Sequence, residues 1–182
     1  GKTNIIESLF LLSTGKSFKA RIEEEMVNYD ADLARISGEL SIKSSQLSEN
    51  VQGTKLEVIL NRGILDIGND RPERVARKKM LLNGISKRLV DFAGNFRVVL
   101  FAPQDLGLVS ESPSVRRAFL DMVLSQIDRE YRRAILSYEK GIRQRNKLLY
   151  RIREEGLSRM QLLFWNKLLI KNGNYISLKR EE

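Results

Sequence analysis

Neither cysteine nor histidine occurs among the 182 residues. Without them there is no disulfide framework, no thiolate or imidazole metal centre, no cysteine nucleophile and no Ser-His-Asp triad. Any chemistry therefore falls to lysine, threonine, serine, carboxylates or a hard cation held by oxygen. Long apolar runs are missing too. Phe10 to Leu12 and Val98 to Ala102 are of core size, well short of the roughly 18 residues a membrane-spanning helix needs, so no membrane is expected. The opening residues Gly1-Lys2-Thr3-Asn4 lack the basic and then apolar stretch of a signal peptide. A cytoplasmic protein fits these absences. Position 1 is not methionine, which suits an internal piece of a longer protein, and this length holds one domain, or one and part of another.

What the chain does have is positive charge, with 32 Lys and Arg against 23 Asp and Glu, a net +9. The excess is local. Residues 71–88 carry Arg71, Arg74, Arg77, Lys78, Lys79, Lys87 and Arg88 against one acid. Residues 129–153 carry Arg129, Arg132, Arg133, Lys140, Arg143, Arg145, Lys147, Arg151 and Arg153 against two. Clusters this dense attract phosphate backbones through counterion release, and Lys78, Lys79, Lys87, Arg88, Arg143, Arg145 and Lys147 are the candidate DNA contacts. A solvated helix face carries the same pattern, and both readings stand at this level.

Periodicity supplies the elements. Thr3 to Ser13 reads as a helix burying Ile5, Ile6, Leu9, Phe10 and Leu12 and ending at Gly15. Leu33 to Ile42 and Lys55 to Leu60 alternate as strands, with turns at Gly53, Asn61-Arg62-Gly63 and Gly68-Asn69-Asp70, and Lys79 to Ile85 reads as a hairpin turning at Asn83-Gly84. Arg88 to Ala93 suits a short helix. Phe96 to Phe101 is apolar enough for a strand buried on both faces. From Ser112, a cap ahead of Pro113, the chain turns helical. Tyr131, Ile135, Tyr138, Ile142, Arg145, Leu149 and Ile152 form a heptad stripe, Gly156 interrupts it, and Leu157 to Ile170 gives a second helix able to fold back.

Two segments have the composition of a nucleotide site. Gly1-Lys2-Thr3 matches the end of the phosphate-binding pattern G-x-x-x-x-G-K-[ST] and opens a helix, as that chemistry requires: main-chain N–H groups face the phosphates, Lys2 reaches the outer ones and Thr3 holds Mg²⁺. The tripeptide is short, and an ordinary chain start explains it as well. Gln104 and Asp105, just past the apolar run, stand where an α/β site puts groups that order metal and water. A plain turn capped by Asp105 accounts for them too, and physics alone favours the turn.

Taken together, several stretches resemble the RecF family, bacterial DNA replication and repair ATPases related to the SMC and Rad50 group of ABC-type ATPases. They are Gly1-Lys2-Thr3-Asn4 with Glu7, Ser13-Thr14-Gly15-Lys16-Ser17-Phe18-Lys19 and Phe101-Ala102-Pro103-Gln104-Asp105-Leu106. The Ser112-Pro113-Ser114-x-Arg116-Arg117-x-Phe119-Leu120-Asp121 block, Tyr138 with Gln144-Arg145-Asn146, and Trp165 complete the set. The Ser-Pro block with Gln-Arg-Asn downstream is far more specific than the tripeptide.

The resemblance implies an α/β (mixed α+β) fold, a P-loop ABC-type ATPase head, incomplete here, with a helical-lobe insertion. Residues 1–111 would form the partial head and 112–182 a truncated lobe. It implies ATP bound by Gly1, Lys2, Thr3, Asn4 and Gln104, with Mg²⁺ at Thr3 and Gln104; the family often has Glu at the latter position. It also implies DNA, RecO and RecR as partners, RecA loading at single-strand gaps in the SOS response, and an ATP-dependent homodimer. The Walker A glycines, signature loop and Walker B strand are not in this sequence, so ATP turnover by the isolated chain is not expected. Two alternatives remain open: a head of another SMC-like ATPase, of the AAA or overcoming-lysogenisation-defect type, or a basic nucleic-acid-binding module indifferent to nucleotide.

Overall fold

Helix α1 (Lys2–Thr14) forms where the periodicity predicts and stops at Gly15, whose φ of 68° is left-handed and whose N–H returns to the Leu11 carbonyl. A Cβ at Gly15 would lie 2.4 Å from Cδ1 of Leu89, so glycine is required both for the backbone turn and for the close approach of that leucine. The computed structural model describes residues 1–41, 53–65 and 73–182. Arg71, Ile42 at the end of the expected first strand, and the Gly68-Asn69-Asp70 turn lie outside the described residues. Two compact units result, Gly1–Leu100 and Phe101–Glu182.

In the first unit a four-stranded antiparallel sheet has the order β1-β2-β5-β6, from β1 (Leu33–Leu40), β2 (Thr54–Asn61), β5 (Lys78–Leu82) and β6 (Ile85–Lys87). Between them β3 (Ile64–Leu65) and β4 (Glu73–Arg74) make a small separate ladder. The register aligns Ile36, Val58 and Met80 on one face and Arg35, Ile59 and Lys79 on the other. That alternation decides which side is buried: Leu56, Val58, Leu60 and Met80 meet Leu11 and Leu12 of α1, Val27, and Phe92 of α2 (Leu89–Phe92). The β5–β6 hairpin turns at Asn83 and Gly84 with φ of 51° and 77°, both positive, as a two-residue turn of matching twist demands.

Two expectations are corrected here. The predicted buried face of α1 extends only over its second half: Phe10 and Leu12 are buried, whereas Ile5, Ile6 and Leu9 are 66, 46 and 43% exposed. The core gathers around Leu11 and Leu12, and the first turns project past it. Phe96 to Phe101 belongs to neither sheet, and Val99 is 95% exposed. An apolar run becomes a buried strand only when a neighbouring strand pairs with it, and among the described residues none does.

The second unit is helical, with α3 (Gly107–Ser110), α4 (Pro113–Ile127), α5 (Arg129–Glu155) and α6 (Leu162–Glu181). Pro113 takes the first position of α4 as expected and Ser112 stands at its N-cap, but the Ser112 side chain makes no cap bond and shares a hydrogen bond with the Ser114 hydroxyl instead. Asp128 caps α5, accepting from the N–H groups of Glu130 and Tyr131. α5 ends at left-handed Gly156, φ 67°, and α6 packs back against it. The seam keeps Tyr131, Tyr138 and Arg145 of the expected stripe but runs through Gly141 and Leu148, leaving Ile142 and Leu149 each 38% exposed. The reason is steric. A Cβ at Gly141 would sit 2.9 Å from Leu168 Cδ2 and 3.0 Å from Leu169 Cδ2, so this glycine lets the second helix approach closely.

A polar knot fixes these helices. Arg180 of α6 makes two hydrogen bonds to Asp121 of α4, at 2.9 and 2.8 Å, and the Tyr131 hydroxyl donates to the same carboxylate. Burial first, then the bond to Asp121, pushes the Tyr131 phenol up to about 12 against the opposing Arg180 charge. Asp121 closes the Ser-Pro block singled out in the sequence, and what it does in the fold is join α4, α5 and α6.

Candidate phosphate-binding and nucleic-acid sites

Gly1 is the N-cap of α1 and no side chain caps the helix. The first main-chain bond of the helix is from Asn4 N–H to the Gly1 carbonyl, 3.0 Å, so the N–H groups of Lys2 and Thr3 precede the intrahelical ladder. Both side chains are exposed. A lysine, a threonine hydroxyl, free amides and the positive end of a helix dipole form a donor set suited to phosphate. No group of three or more carboxylates is arranged for a metal among the described residues. A divalent cation here would therefore rely on the Thr3 hydroxyl with phosphate and water oxygens, the habit of Mg²⁺.

Beside this end lies a cleft of about 480 Å³ lined by Asn4, Glu7 and Ser8 of α1, by Lys19, and by Ala34 and Ile36 of β1. Its wall is tied to the helix through Ser17, whose hydroxyl donates to Glu7 and accepts from the N–H groups of Lys19 and Ala20.

Gln104 falls in the second unit, in the short 3-10 turn Pro103–Leu106. The Asp105 carboxylate accepts from the Ala102 N–H at 2.7 Å, closing that turn, which is the capping role that physics favoured for it.

The two basic clusters differ in how much of their charge is free. In the first, Lys78 bonds Glu23 and the Gly15 carbonyl, Arg77 pairs with Glu24 at 2.8 Å and Arg88 with Asp91 at 3.2 Å. Lys79 and Lys87 join Lys78 and Ser86 around one shallow cleft of about 450 Å³. In the second, Arg132 is buried and bonds the carbonyls of Ser125 and Gln126 at the end of α4. Arg145 enters the seam, donating to Asn166 Oδ1 of α6 at 2.8 Å. Arg133 pairs with Glu130, Arg151 with Glu155 and Arg153 with Glu154. Arg143 and Lys147 stand exposed on α5, together with Lys140, which sequence reasoning counted in the cluster but did not single out. Its signal was there: residues 140, 143 and 147 recur at the 3 and 4 spacing of one helix face.

No protein-family model matches the chain. Curated relatives do. The DNA replication and repair protein RecF of Herpetosiphon aurantiacus is 38% identical over 184 residues, covering 99% of this chain and 47% of its own length. RecF of Thermomicrobium roseum is 37% identical over 188 residues, covering 99% and 44%. The chain thus spans about half the length of the curated relatives it matches. Among solved structures, the recombination mediator protein RecF with ATP, of the RecFOR pathway, superposes with a TM-score of 0.76 at 29% identity, over 100% of this chain and 44% of that one. A second RecF structure of that pathway gives 0.76 at 28% identity, over 99% and 44%. The mixed α/β fold is accordingly that of RecF over this stretch, and by sequence and structure alike the chain is similar to RecF proteins over nearly all of its own length.

Proposed function

We propose that this chain supplies the phosphate-binding helix and a nucleic-acid-binding surface of an ATP-dependent DNA replication and repair protein. The observation that carries this reading is that Lys2 and Thr3 open α1, with their N–H groups ahead of the intrahelical ladder, in a chain 29% identical to an ATP-bound RecF. In this reading the Lys2 ammonium and the first-turn N–H groups hold the phosphates of ATP, and the Thr3 hydroxyl is a ligand for Mg²⁺. The ion, when bound, neutralises phosphate charge. Gly1, Asn4 and Gln104 complete the set. The partition into a head, residues 1–111, and a helical lobe, residues 112–182, belongs to the same proposal. So do the partnership with RecO and RecR in loading RecA at gaps, the ATP-dependent homodimer and the cytoplasmic setting.

For DNA, the cations that remain available are Lys79 and Lys87 on the sheet and Arg143 and Lys147 on α5. Lys78, Arg88 and Arg145 are each engaged by a protein acceptor and contribute more to holding the surface than to meeting phosphate.

Calorimetric titration with a slowly hydrolysed ATP analogue and Mg²⁺ tests the nucleotide reading. Saturable binding is expected in the wild type, weakened about 10- to 100-fold in Lys2→Ala, as the loss of a charge-assisted hydrogen bond predicts, with no steady-state ATP turnover by either. Equal affinity in the two proteins, or turnover that Lys2→Ala abolishes, contradicts it.

A further inference from the structure

The short 3-10 turn Glu23–Met26 puts three consecutive carboxylates beside the first basic cluster, and each is bound differently. Glu23 pairs with Lys78, which also donates to the Gly15 carbonyl at 3.1 Å. Glu24 pairs with the Arg77 guanidinium at 2.8 Å. Glu25 meets no cation among the described residues and accepts from the Arg21 N–H at 2.9 Å.

Exposure separates the two ion pairs. The Lys78 side chain is 18% exposed and ties the end of α1 to β5, whereas the Arg77 side chain is 59% exposed. The first pair is an anchor that sets the turn in place. The second is a surface pair, weak enough to be exchanged for another. The Arg77 backbone is held, since its carbonyl accepts from the Asn61 N–H at 2.9 Å, and its stem crosses Gly63, where a Cβ would come within 3.1 Å of Arg77 Cγ. Only the guanidinium end can change partner. Val75, Ala76 and Lys78, on either side of Arg77, line the shallow cleft shared by Lys79 and Lys87. A guanidinium at that place can grip a phosphate through two N–H groups, as a lysine cannot, and Glu24 fills that capacity.

We propose that Glu24 is a built-in competitor of phosphate for Arg77, so that this arginine joins the contacts of the sheet only when a phosphate displaces the carboxylate. The proposal rests on the DNA reading above and adds a regulated contact to it. Displacement exchanges one ion pair for another, and the carboxylate it releases takes up a counterion that offsets the one the phosphate gives up. While Glu24 keeps its charge, Arg77 therefore adds little to affinity and little to its salt dependence.

Fluorescence anisotropy of the full chain with a labelled blunt DNA duplex, over a series of salt concentrations, tests this. Glu24→Gln should tighten binding about fivefold at low salt, the most that an exposed ion pair withholds, and steepen the dependence of log affinity on log salt by about one. Glu25→Gln removes the same charge one residue away and should change affinity by less than about twofold. In an Arg77→Gln background, Glu24→Gln should gain nothing. Equal gains from Glu24→Gln and Glu25→Gln, or a gain that persists without Arg77, would mean repulsion by net charge alone and overturn the proposal, as would no gain at all. The DNA reading stands through any of these results if Lys79→Glu still weakens duplex binding. If the wild type binds no duplex saturably, the DNA reading and the proposal fall together.

Discussion

Gly15 sets two features of the first unit at once. It ends α1 in the left-handed region and admits Leu89 where a Cβ would collide. Gly15→Ala should therefore cost about 1–2 kcal/mol from the backbone alone, seen as a lower urea midpoint by circular dichroism; an unchanged midpoint would show that the turn relaxes freely. The glycine was legible in the sequence, as was Asn83-Gly84, because turn chemistry is local. The fate of Lys78 was not. Its carboxylate partner Glu23 is 55 residues away, a separation no local pattern encodes, so the charge count overstated the free charge of the first cluster. Arg132 and Arg145 misled in the same way, since their spacing on α5 gave no hint of the carbonyls and the asparagine that engage them.

At the scale of elements, the helices of the second unit were readable and their contacts only in part. The stripe from Tyr131 located α5, but the seam passes through Gly141 and Leu148 because the glycine admits Leu168 and Leu169 of α6. A pattern of apolar and polar side chains carries no mark for a glycine, whose contribution to the seam is the absence of one. The failed strand at 96–101 has a different cause: the run is apolar enough, and strand formation depends on a partner that a run cannot specify. Asp128 offers a test of how α5 starts. Burial alone would raise its pKa, but the N–H groups of Tyr131 and Glu130, the Tyr175 hydroxyl and Lys179 more than offset this and hold it below the ordinary 3.8. A carboxylate depressed in the folded state stabilises fully above its unfolded pKa and loses that contribution as pH falls through the folded value. Asp128→Ala should lower stability near neutral pH by about 1 kcal/mol, the usual worth of an N-cap. The difference from wild type should begin to shrink as pH falls below the unfolded value of about 3.9 and vanish below the lowered folded value, where the wild-type cap is itself protonated. Thermal melts of the α6 Trp165 fluorescence at pH 7 and pH 3 would register this, and a pH-independent gap would contradict it.

For the whole molecule, the sequence pointed to a mixed α/β architecture, which agrees with the RecF structures, and to the start of α1 as the nucleotide site. The candidate site is visible in sequence as residue types, Lys2 and Thr3 ahead of an apolar run, and the structure adds that both stand in the first turn of α1, ahead of its intrahelical ladder. The central claim is that ATP seats on this end. Amide hydrogen exchange with and without Mg²⁺ and a slowly hydrolysed ATP analogue tests it most directly. At a nucleotide concentration that just saturates the wild type, exchange should slow across Lys2 to Glu7, stay unchanged in α5, and slow markedly less in Lys2→Ala. Protection absent from α1, or confined to α5, would contradict the account.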